Sequence, residues 1–145
     1  MAATIDDITA SVVTLLNGQS WSLSFTAEAS DQPIYKPQDL ADLQVAVVPA
    51  KQGTKRIARR KWQQEYTLWV AVMQRPETFD EASRAARKAL VQEIMVYLEG
   101  VDTVTAGGVK TTLMAVENEV LMDPDHMEQM RQFTSVLSLT FTAWR

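Results

Sequence analysis

Residues 132–142 have the most regular alternation of apolar and polar side chains in this chain. A period of two is expected for a β-strand with one buried face. The apolar positions of this segment are Phe133, Leu137, Leu139 and Phe141. The opposite face carries hydroxyl groups together with Val136. We therefore expect that face to be half-buried, for example beneath a neighbouring subunit.

Two apolar segments in the middle of the chain predict a β-hairpin. Residues 43–48 form a short strand that we expect to end at Pro49, because proline cannot donate to a strand ladder. Residues 66–73 are apolar on both faces, which favours a central strand covered on both sides. The stretch between them, about 50–64, is polar and basic. We expect residues 50–55 to form a turn or loop and the rest to project from the body as a hairpin arm or a mobile loop. We predict that 43–48 pairs with 64–73 across this arm.

Helical periodicity marks two further segments. The first, residues 4–16, is followed by Gly18, which favours the conformation that ends a helix. The second begins at a capping box formed by Thr78 and Glu81 and extends to about Glu99. We expect its buried stripe to comprise Ala82, Ala86, Ala89, Leu90, Ile94, Tyr97 and Leu98.

The remaining pattern completes the predicted fold. Trp21, Leu23 and Phe25 alternate with serines and predict an early strand. Residues 112–122 predict a strand pair or an irregular strand. Core positions are also predicted for Trp69, Met73 and Phe79. The predicted fold class is α+β: one domain over residues 1–145, with a mostly antiparallel (mixed) β-sheet flanked by two main α-helices and a projecting basic hairpin arm.

Positive charge is concentrated in the predicted arm. The chain has 14 basic and 18 acidic residues and a net charge of −4, yet six of the basic residues lie between positions 51 and 61. The rest of the chain is therefore strongly acidic, and a positive rim on a negative body favours an oriented contact with a second charged surface. The candidate interface residues are these cations and two tryptophans: Lys51, Lys55, Arg56, Arg59, Arg60, Lys61, Trp62 and Trp144.

No pattern in the chain points to catalysis. The absence of cysteine removes disulfides, thiolate nucleophiles and cysteine-based zinc sites. The single histidine, His126, lies beside Asp123 and Asp125 without a metal-ligand spacing, and we interpret it as a surface or capping residue. We expect no enzymatic activity, cofactor or metal. The acidic first residues and the lack of a long apolar run predict a protein made in the cytoplasm that does not enter membranes.

Four segments, taken in order, resemble one protein family. They are residues 45–49 ahead of the basic stretch, residues 65–72, the helix end at 93–98, and the run from 123 to 141. This arrangement is similar to that of the tail terminator, or tail-completion, proteins of long-tailed bacteriophages, which are related to minor tail and neck proteins. The resemblance covers nearly the whole chain and is most specific in 65–72 and in the final strand.

The resemblance implies a virion protein of the tail or neck, assembled in the host bacterial cytoplasm as a ring, commonly a hexamer. Such a ring caps the head-proximal end of the tail tube, ends its polymerisation and joins the tail to the head connector. The implied partners are copies of the chain itself, the tail tube protein and the head–tail connector or neck protein, with DNA only as passing cargo. In a closed ring each subunit meets the next through a heterologous contact, which a charged arm would help to orient.

Other hypotheses stay open beside this one. The chain could be another neck or head-closure component, since these proteins share size and fold style. It could be an accessory nucleic-acid-binding protein that uses the basic arm, although dedicated DNA-binding domains usually have a basic overall charge. A small enzyme that uses His126 with Asp123 or Asp125 is the third.

Overall fold

The computed structural model describes residues 5–23, 25–29, 43–74, 81–106, 109–120 and 133–144. These residues form two helices and six strands. In chain order the elements are α1 (Ile5–Asn17), β1 (Thr26–Ala29), β2 (Gln44–Ala58), β3 (Lys61–Gln74), α2 (Glu81–Glu99), β4 (Thr103–Ala106), β5 (Val109–Val120) and β6 (Phe133–Trp144).

The six described strands form one mixed sheet in the order β1-β2-β3-β6-β5-β4. Strands β1 and β2 are parallel, and every other neighbouring pair is antiparallel. β6 is therefore central, paired with β3 on one side and β5 on the other. β5 is irregular, with register shifts between Leu113 and Ala115 and between Asn118 and Val120.

Both described helices pack on one face of the sheet. Their side chains join a single buried cluster with residues of β2, β3 and β6; the largest contributors include Ile8, Leu16, Leu90, Ile94, Leu98, Phe133 and Phe141. Helix α1 contacts β1 and β2 near one edge of the sheet and β4 at the other edge, so the sheet curls around it. We call the helix-covered side the inner face and the opposite side the outer face.

Polar and aromatic contacts fix the chain between α1 and β1. The side chain of Asn17 accepts a hydrogen bond from the Ala27 N–H at 2.8 Å and donates one to the Ala27 carbonyl at 3.1 Å. The indole N–H of Trp21 donates to the Leu16 carbonyl at 2.9 Å, and its ring lies edge-on to Tyr97 with centroids 5.5 Å apart. These contacts join α1, β1 and α2 into one unit.

Most of the predicted elements are confirmed. The fold is α+β, with a mostly antiparallel mixed sheet and two helices, and the predicted helices and final strand are present with small shifts at their ends. The predicted pairing of 43–48 with 64–73 is present, and 112–120 is an irregular strand rather than a strand pair. The capping residue Thr78 and the segment 123–126 with His126 lie outside the described residues.

Two predictions about the hairpin are wrong. Pro49 does not end the strand, since β2 continues through it to Ala58. The pairing shifts register between Pro49 and Lys51. A proline is tolerated at such an irregularity because the pairing there does not need its backbone N–H. Residues 50–55, expected to be a turn or loop, are a strand because main-chain pairing with β3 does not require apolar side chains.

Two further predictions fail near the helices. Residues 21–23 and 25 are not in a strand, and β1 begins only at Thr26. Ala82, Ala86 and Ala89 are exposed rather than buried. The C-terminal half of α2 makes the packing contacts instead, through Leu90, Val91, Ile94 and Leu98.

The prediction that β3 is covered on both sides holds only in part. Ala71 and Met73 are buried on the outer face, as expected for Met73. Trp69, predicted to lie in the core, is on the same face with 41% of its surface exposed. Trp69 is exposed because both described helices cover the inner face. The third predicted core residue, Phe79, lies outside the described residues.

Candidate functional site

The basic arm, residues 50–64, is a two-stranded hairpin in which β2 and β3 pair antiparallel. On the far side of β3, strand β6 follows only as far as the pair Gln63–Trp144. On the far side of β2, strand β1 pairs only with residues 44–47. Residues 56–62 therefore extend beyond the body of the sheet as it is described, with their main chain paired only within the hairpin.

Strand geometry sorts the cations of the arm by face. Directly paired residues in neighbouring strands lie on the same face of a sheet. Lys51 and Lys55 pair with Thr67 and Gln63, which continue the outer face of β3. Arg56 pairs with Trp62 on the opposite side of the hairpin. The outer side of the arm is thus lysine-rich, and the other side presents arginine.

Each face of the arm holds one cation over a tryptophan ring. The Arg56 Cζ lies 4.9 Å from the ring centroid of Trp62, and the Lys61 Nζ lies 5.0 Å from that of Trp144. An exposed contact of this kind contributes about 0.5–1 kcal/mol. The contacts favour fixed positions for the two charges, and Trp144 remains 55% exposed, so it is free to meet a partner.

The turn of the arm consists of Arg59 and Arg60. Arg60 has a φ of 65°, a left-handed conformation that costs a residue with a Cβ about 1–2 kcal/mol. Glycine is the usual residue at such a position. Local strain of this kind is often found at functional positions. Here the strained residue carries the second positive charge at the end of the arm.

Arg60→Gly is expected to raise the free energy of unfolding by about 0.5–1 kcal/mol. The strain relieved, about 1–2 kcal/mol, exceeds the entropic cost of glycine, about 0.5–1 kcal/mol. The matched control is Arg59→Gly, since Arg59 is not among the residues with positive φ. That control is expected to lose stability in urea unfolding monitored by tryptophan fluorescence. Equal losses in the two variants would contradict a strained turn.

A shallow cavity of about 160 Å³ lies on the outer side of the arm. Lys51 and Lys55 line it together with Gln63, Glu65 and Thr67. All three charged side chains are exposed. Two ammonium groups beside a carboxylate suit a protein surface of mixed charge better than an unbroken row of phosphates.

A larger cavity of about 600 Å³ lies at the end of the sheet away from the arm. The guanidinium of Arg87 lines it and donates to the Gln74 Oε1 at 3.0 Å, and to the carbonyl and hydroxyl of Ser83 at 2.9 and 2.8 Å. Burial lowers the pKa of Arg87 from its ordinary value. These bonds anchor α2 to β3, which gives Arg87 a structural role.

The structure brings most of the predicted site residues together in one hairpin. All six cations are exposed along the arm. Arg56 lies over the ring of Trp62, and Lys61 lies over the ring of Trp144, which belongs to β6. The prediction missed Ile57, an apolar residue that is 45% exposed near the turn. Its signal in the sequence is a single large apolar side chain inside a basic run.

The comparisons with known proteins support the fold alone. No family model and no curated protein matches this chain. One solved structure, whose name states no activity, covers 98% of this chain and 96% of its own, with a TM-score of 0.57 at 18% sequence identity. Likeness at that identity establishes a shared α+β architecture with a curled mixed sheet and carries no function.

The described residues contain neither a membrane-spanning helix nor a cluster of side chains that could hold a metal ion. Neither α1 nor α2 combines the length and the hydropathy that crossing a membrane requires. Within the same ranges, no three or more His, Cys, Asp or Glu side chains are grouped so that they could hold a metal ion.

Proposed function

We propose that this protein is a structural component of the virion of a long-tailed phage. In this proposal it forms a ring, with a hexamer as the expected size, at the head-proximal end of the tail tube. The ring ends tube polymerisation and joins the tail to the head connector. Its partners are further copies of the chain, the tail tube protein and the connector.

The observation that supports this proposal most is the basic arm. It is a paired hairpin whose residues 56–62 project from an otherwise acidic body. Exposed aromatic side chains, Trp69 and Trp144, lie on the outer face of the same sheet. Aromatic residues and arginine are enriched in protein–protein interfaces, and opposite charges orient the partners.

A nucleic-acid-binding accessory role is the second candidate, and the arginines of the turn favour it. Arg59 and Arg60 would meet phosphates without hindrance at the end of the arm. Such binding would weaken steeply with salt, with a slope of log K against log salt of about −0.9 for each phosphate contacted. The acidic body and the exposed Glu65 beside the arm favour a protein partner instead.

Electron microscopy with tail tubes tests the proposal. Purified protein is mixed with tubes assembled from the tail tube protein of the same phage and examined by negative staining, alongside protein alone and tubes alone. We expect closed rings at one end of each tube and tubes that stop elongating once capped. Protein that stays monomeric, leaves tube ends bare and does not slow elongation would exclude the capping role.

A further inference from the structure

A shallow cavity lined by both apolar and polar groups lies where the C-terminal end of α2 meets β5. It has a volume of about 200 Å³, and its apolar lining includes Leu98, Val101, Leu113 and Met114. A cavity of about 150 Å³ in a protein can hold a benzene molecule. This cavity therefore has room for one branched apolar side chain, and Met114, 61% exposed, stands at its surface.

The same cavity has a negative border. Glu99 and Asp102 also line it, and both residues are exposed. The C-terminal end of a helix carries a partial negative charge that favours a nearby cation. The last turn of α2 contains no basic residue and instead ends with Glu99. The cavity thus places apolar side chains beside two exposed acidic residues at the negative end of the helix.

The tip of the basic arm has the complementary chemistry. The pairing of β2 with β3 shifts register between Arg56 and Ala58, and Ile57 is the residue between them. Its side chain is 45% exposed, although burying an isoleucine is favourable. Arg56 precedes it, and Arg59 and Arg60 follow at the turn. The tip is therefore one apolar side chain surrounded by cations.

We propose that Ile57 of one copy enters this cavity in the next copy, with the arginines of the turn against Glu99 and Asp102. The contact rests on the proposed ring and specifies how its subunits join. The arm belongs to β2 and β3, whereas residues of α2, β5 and the segment after α2 line the cavity. When each copy receives the arm of one neighbour and inserts its own arm into another, the contact is heterologous. Contacts of this kind repeat head to tail and close into a ring when the rotation allows.

Disulfide trapping tests the contact directly, because the chain contains no cysteine of its own. The variant Ile57→Cys/Met114→Cys is oxidised and run on non-reducing gels. We expect a ladder of covalent multimers, about tenfold or more above the control, since a disulfide forms only when the two Cα atoms come within roughly 4.4–6.8 Å. The control, Ile57→Cys/Val96→Cys, uses an exposed position of α2 that does not line the cavity.

A second pair, Ile57→Cys/Val101→Cys, probes another wall of the cavity, and circular dichroism of the reduced proteins checks that each variant folds. Mass photometry of the same samples, alone and with tube ends, reports whether oligomers exist. Oligomers without a ladder from either cavity pair, or an equal ladder from the control, overturn the arm-in-cavity contact and leave the ring standing. Absence of oligomers in both conditions overturns the contact and the ring together.

Discussion

Replacing Arg59 and Arg60 with glutamine is expected to abolish self-association and tube capping while the subunit stays folded. The two side chains are exposed at the turn and form no part of the buried cluster, so the free energy of unfolding should change by less than about 0.5 kcal/mol. Close charge pairs at a protein interface contribute about 1.5 kcal/mol or more, and 1.4 kcal/mol is a tenfold change in affinity. We expect the dissociation constant to rise more than about tenfold.

The matched control is Lys88→Gln/Lys110→Gln, which removes the same charge from exposed positions outside the arm. It should retain wild-type association in mass photometry and in the tube assay. Binding to duplex DNA is measured for both variants across a series of salt concentrations. If the control weakens association as much as the arm variant, net charge rather than the arm is responsible. Loss of salt-dependent DNA binding in the arm variant, with tube capping unchanged, would favour the nucleic-acid-binding alternative.

Phe141→Ala is expected to remove a large part of the folding stability. Phe141 is buried on the inner face of the central strand β6, with Tyr66 of β3 and Leu113 of β5 as its neighbours in register. Truncating a buried phenylalanine costs about 3–5 kcal/mol, and a domain typically has only about 5–15 kcal/mol in total. Urea unfolding monitored by the fluorescence of the four tryptophans measures the loss.

The control for this prediction is Thr140→Ala on the opposite face of the same strand. Thr140 is partly exposed and belongs to no buried cluster among the described residues, so its loss should cost less than about 1 kcal/mol. A similar cost at both positions would mean that the inner face of β6 does not form the core. A cost concentrated at Thr140 would place the core on the outer face.

The successes of sequence reasoning come from side-chain periodicity. In β6 the alternation of Phe133, Leu137, Leu139 and Phe141 with hydroxyl residues identified both the strand and the face that joins the hydrophobic core, because successive side chains of a strand point to opposite sides. In the hairpin, the apolar segments around the arm identified the correct partner strands. The polar residues 50–55 were misassigned because their strand is held by main-chain hydrogen bonds, which leave no pattern in side-chain polarity.

Burial on the outer face and along α2 could not be predicted in the same way. Trp69 has apolar neighbours on both sides of its strand, so its local pattern is the same whether or not a helix covers it. The exposed alanines of α2 have the spacing of a buried stripe, but only the second half of that helix reaches the sheet. Both outcomes depend on where other elements pack.

For the candidate site, the sequence by itself determined the identity of the arm, its charge and the aromatic residues beside it, because a run of cations is a property of neighbours along the chain. The tertiary structure alone decided which face each cation occupies and that Ile57 lies at a register shift. It also decided that apolar and acidic residues near the end of α2 and on β5 line one shallow cavity. The physical reason is that strand register and helix packing bring together groups distant in sequence, and no local pattern encodes those distances.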